Sequence, residues 1–95
     1  MNYRYALPAR LSAQATTFHE FANGGAQCRA RLFDGTTYSG LLVSNAAAIV
    51  AMRGHTALPF PVESIDQLFQ AHEDIDPILR DGWQFFDAWK LRESP

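Results

Sequence analysis

Cys28-Arg-Ala-Arg-Leu-Phe33, Asp34-Gly35, Thr36-Thr-Tyr-Ser-Gly-Leu-Leu-Val43 is the stretch whose reading decides the fold. Its first six residues alternate small or apolar side chains with arginines, as a half-buried strand does. Asp-Gly between two such runs is a strong hairpin signal, because a type I′ turn needs positive φ at both central residues. The return run is rich in β-branched and aromatic residues, which suit a pleated surface. A two-residue turn sets Phe33 opposite Thr36, Arg31 opposite Tyr38 and Arg29 opposite Gly40. That register puts Arg29, Arg31 and Tyr38 on one hairpin face. Gly40, with no side chain, suits a strand that bends sharply from one half of a barrel into the other. Ser44-Asn45 reads as the next turn, and Ala46 to Met52 as a mostly apolar third strand ended by Arg53-Gly54.

Outward from this unit, Tyr3, Tyr5 and Leu7 alternate as a short strand or extended arm would. Pro8 can open a helix. Leu11, Ala15, Phe18 and Ala22 recur at helical spacing before Asn23-Gly24-Gly25, so residues 9–22 read as one amphipathic helix. Beyond Gly54, Thr56 to Val62 contains Pro59 and Pro61, which confine it to an edge strand or an extended segment. Ile65 to Phe69 reads as a fifth strand, with one helical turn as the other option. Residues 72–76 form an acidic linker. Asp76-Pro77 then supplies a capping carboxylate and a proline for the first helical position, so residues 76–93 read as a C-terminal helix. Its face carries Ile78, Leu79, Trp83, Phe86 and Trp89. The aromatic stripe Trp83, Phe86 and Trp89 must be covered, either by the barrel or by a second subunit.

The pattern Leu32-x-Asp34-Gly35-x-x-Tyr38-x-Gly40-x-Leu42 resembles the first half of the Sm motif of Sm-like proteins, and the resemblance extends over roughly residues 26–69. It implies a small SH3-like curled antiparallel barrel of five strands. A helix ahead of the first strand is also the order in bacterial host-factor members of that family. Many members form rings that bind RNA. The family's Asp and Asn after the second strand, which help hold a base, are here replaced by Asn45 and Ala48. That replacement weighs against RNA as the ligand.

Ninety-five residues fit a single domain, mainly β, made of residues 9–22 (helix), 26–70 (barrel) and 76–93 (helix). So short a chain buries a modest core, which favours a homo-oligomer, most simply a dimer. The net charge is −2. Up to Val62 five arginines face Glu20 and Asp34; from Glu63 onward eight acids face three bases. A mildly basic barrel with an acidic tail lacks the basic excess of a general nucleic-acid binder. The lone Cys28 makes no internal disulfide and reads as a buried thiol. No signal peptide or long apolar run is present, so no membrane is expected and the cytoplasm is the expected compartment.

His19, His55 and His72 sit in separate elements with no ligand spacing, so no metal is expected. Glu73, Asp74 and Asp76 lack the spacing of a calcium loop. Ser39, Ser44 and Ser64 lack a nucleophile context, and no glycine-rich phosphate loop follows a strand. No catalytic residue and no cofactor are expected. The expected function is that of a non-enzymatic binding or assembly module for protein partners. Two surfaces are candidates: the Arg29/Arg31/Tyr38 hairpin face, where Arg beside an aromatic can anchor a partner or stack a base, and the Trp83/Phe86/Trp89 stripe.

Overall fold

A computed structural model describes residues 3–78 and 83–87 of the chain. Its elements are α1 (Ala9–Ala15), β1 (Gly25–Leu32), β2 (Thr37–Ser44), β3 (Ala48–Met52), β4 (Ile65–Phe69) and α2 (His72–Ile75). The strands make one antiparallel sheet in the order β3-β2-β1-β4. The fold is therefore mainly β, as expected. Among the described residues the sheet does not close into the expected barrel, since β3 and β4 remain its two ends.

The β1–β2 hairpin forms with a different turn and a register shifted by one. Leu32 N donates to Thr36 O at 2.8 Å and Gly35 N to Leu32 O at 2.9 Å, so Phe33, Asp34 and Gly35 make a three-residue loop. Only Gly35 takes a positive φ, of 91°. A type I′ turn would also need Asp34 there; instead its carboxylate accepts Thr36 N at 2.9 Å. That bond from the backbone holds the Asp34 carboxyl below its ordinary pKa. Arg31 consequently pairs with Thr37 and Ala30 with Tyr38. The expected register returns beyond a bulge between Cys28 and Ala30, where Cys28 pairs with Leu41. Gly40 sits at that bulge with φ 73°, its carbonyl accepting Arg53 N at 2.9 Å. The type I′ turn is found at the next connection: Asn45 and Ala46 have φ 53° and 57°, closed by Ala47 N to Ser44 O at 2.9 Å.

Thr56 to Val62 forms no strand. Pro59 and Pro61 cannot donate to a ladder, yet alternation survives, and Leu58, Phe60 and Val62 all point into the core. Leu41, Val43, Ile49, Ile65 and Leu68 of the sheet meet them there, with Leu11 of α1 fully buried among them. A smaller cluster lies on the opposite face, where Leu42, Val50 and Ala51 pack with Tyr3, Phe21 and Trp83.

Both helix expectations need correcting. The first helix stops at Ala15 rather than running to 22. Thr16 Oγ1 and Thr17 Oγ1 each donate back to a carbonyl three residues earlier at 2.7 Å, which competes with helical bonding. The segment read as an acidic linker carries α2, whereas Asp76 turns away with φ −138° and ψ 77° ahead of Pro77. Trp83 to Asp87 is not helical. It lies as an extended strap against β3, with Ala51 bridged to Phe85 and Phe86 N donating to Val50 O at 2.8 Å. The rest of the expected C-terminal helix, Trp89 included, lies outside the described residues.

The two sheet ends are covered by different means. Along β3, Leu7 N donates to Ala47 O and Ile49 N to Tyr5 O, beside the Phe86 bond. Along β4, Arg10 of α1 donates to the carbonyls of Ile65 and Asp66, and Leu68 N donates to Gln14 Oε1 at 2.8 Å.

Two substitutions with opposite signs test the backbone reading. A Cβ at Gly40 would lie 3.3 Å from Arg53 Cβ in the left-handed region, so Gly40→Ala should cost about 2 kcal/mol. Ala46→Gly relieves a left-handed alanine and should stabilise by up to about 1 kcal/mol. Urea unfolding of the three proteins reads both.

Candidate functional site

The side chains of β1 show what became of the expected arginine face. Arg29 Nε donates to Asp74 Oδ2 at 3.0 Å and its Nη2 to Glu73 Oε1 at 3.1 Å. Arg31 Nη2 donates to Gln67 Oε1 at 2.7 Å and lies 3.3 Å from Asp66 Oδ2. Tyr38 is not with them. Its ring packs on Phe60, centroids 4.7 Å apart, against the main core. The shifted register is the cause: a slip of one residue sends a side chain to the other face. The arginines thus pair with acids of the same chain, and a surface drawn as Arg29/Arg31/Tyr38 is divided between two faces.

Asp74 is the charged residue that sequence reasoning left in the linker. It is 1% exposed. Its Oδ1 accepts Gln27 Nε2 at 2.9 Å, and its Oδ2 accepts Arg29 Nε and, at 2.8 Å, Ala71 N at the start of α2. Gln27 in turn accepts Arg53 Nε at 3.3 Å through its own Oε1. The Arg53 guanidinium lies over the Trp83 ring, 3.9 Å from its centroid. A continuous polar chain therefore runs from α2 through β1 to the strap. Cys28 is buried beside this knot; burial first, and the Asp74 charge second, push its thiol well above its ordinary pKa and leave it unreactive. The one clue to the knot in the sequence is Gln27, a polar residue beside the small and apolar positions that open β1.

Trp83 and Phe86 diverge because the strap is extended, so neighbouring side chains face opposite sides. Phe86 enters the main core and meets Tyr5 edge to face, centroids 5.1 Å apart. Trp83 and Phe85 lie on the outer face of the sheet. With Phe21, Leu42 and Val50 they wall a pocket of about 120 Å³, its rim made by Asn23-Gly24-Gly25 and Ser44. Phe21, which falls inside the span read as the first helix, is the wall that sequence reasoning missed. Among the described residues no three His, Cys, Asp or Glu side chains converge as a metal would require, and no helix is long and apolar enough to cross a membrane. No protein-family model, curated protein or solved structure matches the chain.

Removing the Asp74 carboxylate leaves Gln27 Nε2 buried without this partner and takes the acceptor from the half-buried Ala71 N. Asp74→Ala should cost about 3 kcal/mol, whereas Glu73→Ala, which removes an exposed pair, should cost no more than about 0.5 kcal/mol. The difference in urea midpoints checks this.

Proposed function

We propose that this chain is a non-enzymatic binding and assembly module of the cytoplasm, acting on protein partners and on itself as a dimer. The observation that carries this reading is the aromatic pocket of Phe21, Leu42, Val50, Trp83 and Phe85 on the outer face of the sheet. Pockets of that lining accept an aliphatic or aromatic anchor from a partner, and aromatic residues in such places dominate binding energies. Phe85 and, at the hairpin tip, Phe33 (67% exposed) add apolar surface for contact.

The second reading, an Sm-like RNA-binding regulator, draws on the Leu32 to Leu42 pattern. Under the first reading, the pattern stands for a shared hairpin and bend rather than a shared ligand. Arg29 and Arg31 already neutralise carboxylates, so a phosphate would have to displace Asp66, Glu73 or the buried Asp74.

Peptide selection on the immobilised chain, run beside fluorescence anisotropy with single-stranded RNA, separates the two. Selected peptides should carry an apolar anchor and lose most of their affinity for Phe85→Ser, while RNA shows no saturable, salt-dependent binding. Failure to select any peptide, together with tight salt-sensitive RNA binding, would transfer the function to RNA.

A further inference from the structure

The strap Trp83–Asp87 is attached to the body through main-chain bonds to β3 and through its own Trp83, Phe86 and Asp87 side chains, contacts that the same segment of a second copy could reproduce. Its sheet contacts are main-chain: Phe86 N on Val50 O and the Ala51–Phe85 bridge. Its outer anchor is Arg4, whose N donates to Asp87 Oδ1 at 3.0 Å and whose Nη1 donates to Phe86 O at 3.2 Å. Phe86 fills a core position beside Tyr5, and Trp83 is held under Arg53. All these partners lie between residues 4 and 53, far from the strap in sequence.

The fit within one chain is also imperfect. Among the described residues, Trp83 Nε1 and Asp87 Oδ2 are both buried without a hydrogen-bond partner, and both belong to the strap. Native structures rarely leave such atoms unpaired, because desolvation is not repaid. The sheet end beneath the strap is the vulnerable one. β3 is Ala-Ile-Val-Ala-Met with no charge, whereas β4 is guarded by the side chains of Arg10 and Gln14. Uncharged apolar edges are where strands of other chains add.

We propose that the β3 edge is an exchange site whose partner is the Trp83–Asp87 strap of a second copy of this chain. Each copy then lends its strap to the other in a two-fold arrangement that repeats every contact described above. Trp83 and Phe85 of one copy would complete the aromatic pocket built on Phe21, Leu42 and Val50 of its partner, so the pocket belongs to the dimer. This inference rests on the assembly half of the proposed function and names the contact that performs it.

The test uses the full chain. The Phe86–Val50 bond flanks the Ala51–Phe85 pair, making it a non-hydrogen-bonded pair with Cα atoms about 4.5 Å apart, a separation a disulfide spans. The double variant Ala51→Cys/Phe85→Cys, oxidised at high micromolar concentration, should run as a covalent dimer without reductant, with residue 51 linked to residue 85 by peptide mapping. Buried Cys28 stays out of the reaction. The wild-type chain is sedimented in parallel. A wild-type dimer with only an intrachain link in the variant would overturn exchange and leave assembly standing; a wild-type monomer throughout would overturn both. Should the variant not fold, native mass spectrometry of mixed ¹⁴N and ¹⁵N wild-type chains decides. Mixed dimers should appear slowly, because each strap must first release, and complete mixing at the first time point would overturn the proposal.

Discussion

An open sheet of four strands ends in two rows of unpaired backbone groups, and the rest of this chain is arranged to cover them. On β4 the cover is side chain: Arg10 on the carbonyls of Ile65 and Asp66, Gln14 on Leu68 N. This explains why a short helix with only Leu11 and Ala15 buried is kept against the sheet at all. On β3 the cover is main chain, contributed by residues 5–7 and by the strap. Blocking edges in these two ways leaves different consequences. Side-chain plugs cannot be exchanged for another strand without breaking charge-assisted bonds, whereas a main-chain cover is interchangeable by nature.

The buried Asp74 organises the second half of the molecule. A carboxylate at that depth is tolerated because three donors converge on it. Those donors come from β1 and from the residue that starts α2, so the one group both positions the helix and occupies Arg29. Through Gln27 the same network reaches Arg53 and the Trp83 ring. The hydrophobic clusters on the two faces of the sheet are thus joined by polar contacts at one corner, and the orientation of the strap is linked to the seating of α2.

Much of this was legible in the sequence. Strand alternation and the glycine at position 40 located β1, β2 and the bend, and the prolines correctly denied Thr56 to Val62 a place inside the sheet. The turn at Asp34-Gly35 was legible as a turn but not as a type. A carboxylate that accepts Thr36 N rewards the ordinary negative φ at Asp34 over the positive φ of a type I′ turn, so a three-residue loop competes with the two-residue one. That single choice moved Tyr38 away from the arginines. The last element was misread for a physical reason too. Trp83, Phe85 and Phe86 fit a helical stripe and an extended strap with two buried faces about equally well. The tie is broken by the uncovered edge of β3, a feature that exists only once the sheet has formed. The aromatic pocket has the same origin, since it joins Phe21, Leu42 and Trp83 from three distant parts of the chain.

Native-state hydrogen exchange tests the claim of covered edges most directly. The amides of Ile49, Leu68 and Phe86 lie at the sheet ends yet donate to Tyr5 O, Gln14 Oε1 and Val50 O. They should exchange far more slowly than unstructured amides, with Leu68 losing its protection in Gln14→Ala while the interior of β1 keeps its own. Exchange of all three at unprotected rates in the wild-type chain, with β1 still protected, would mean that the edges are open and would contradict the account.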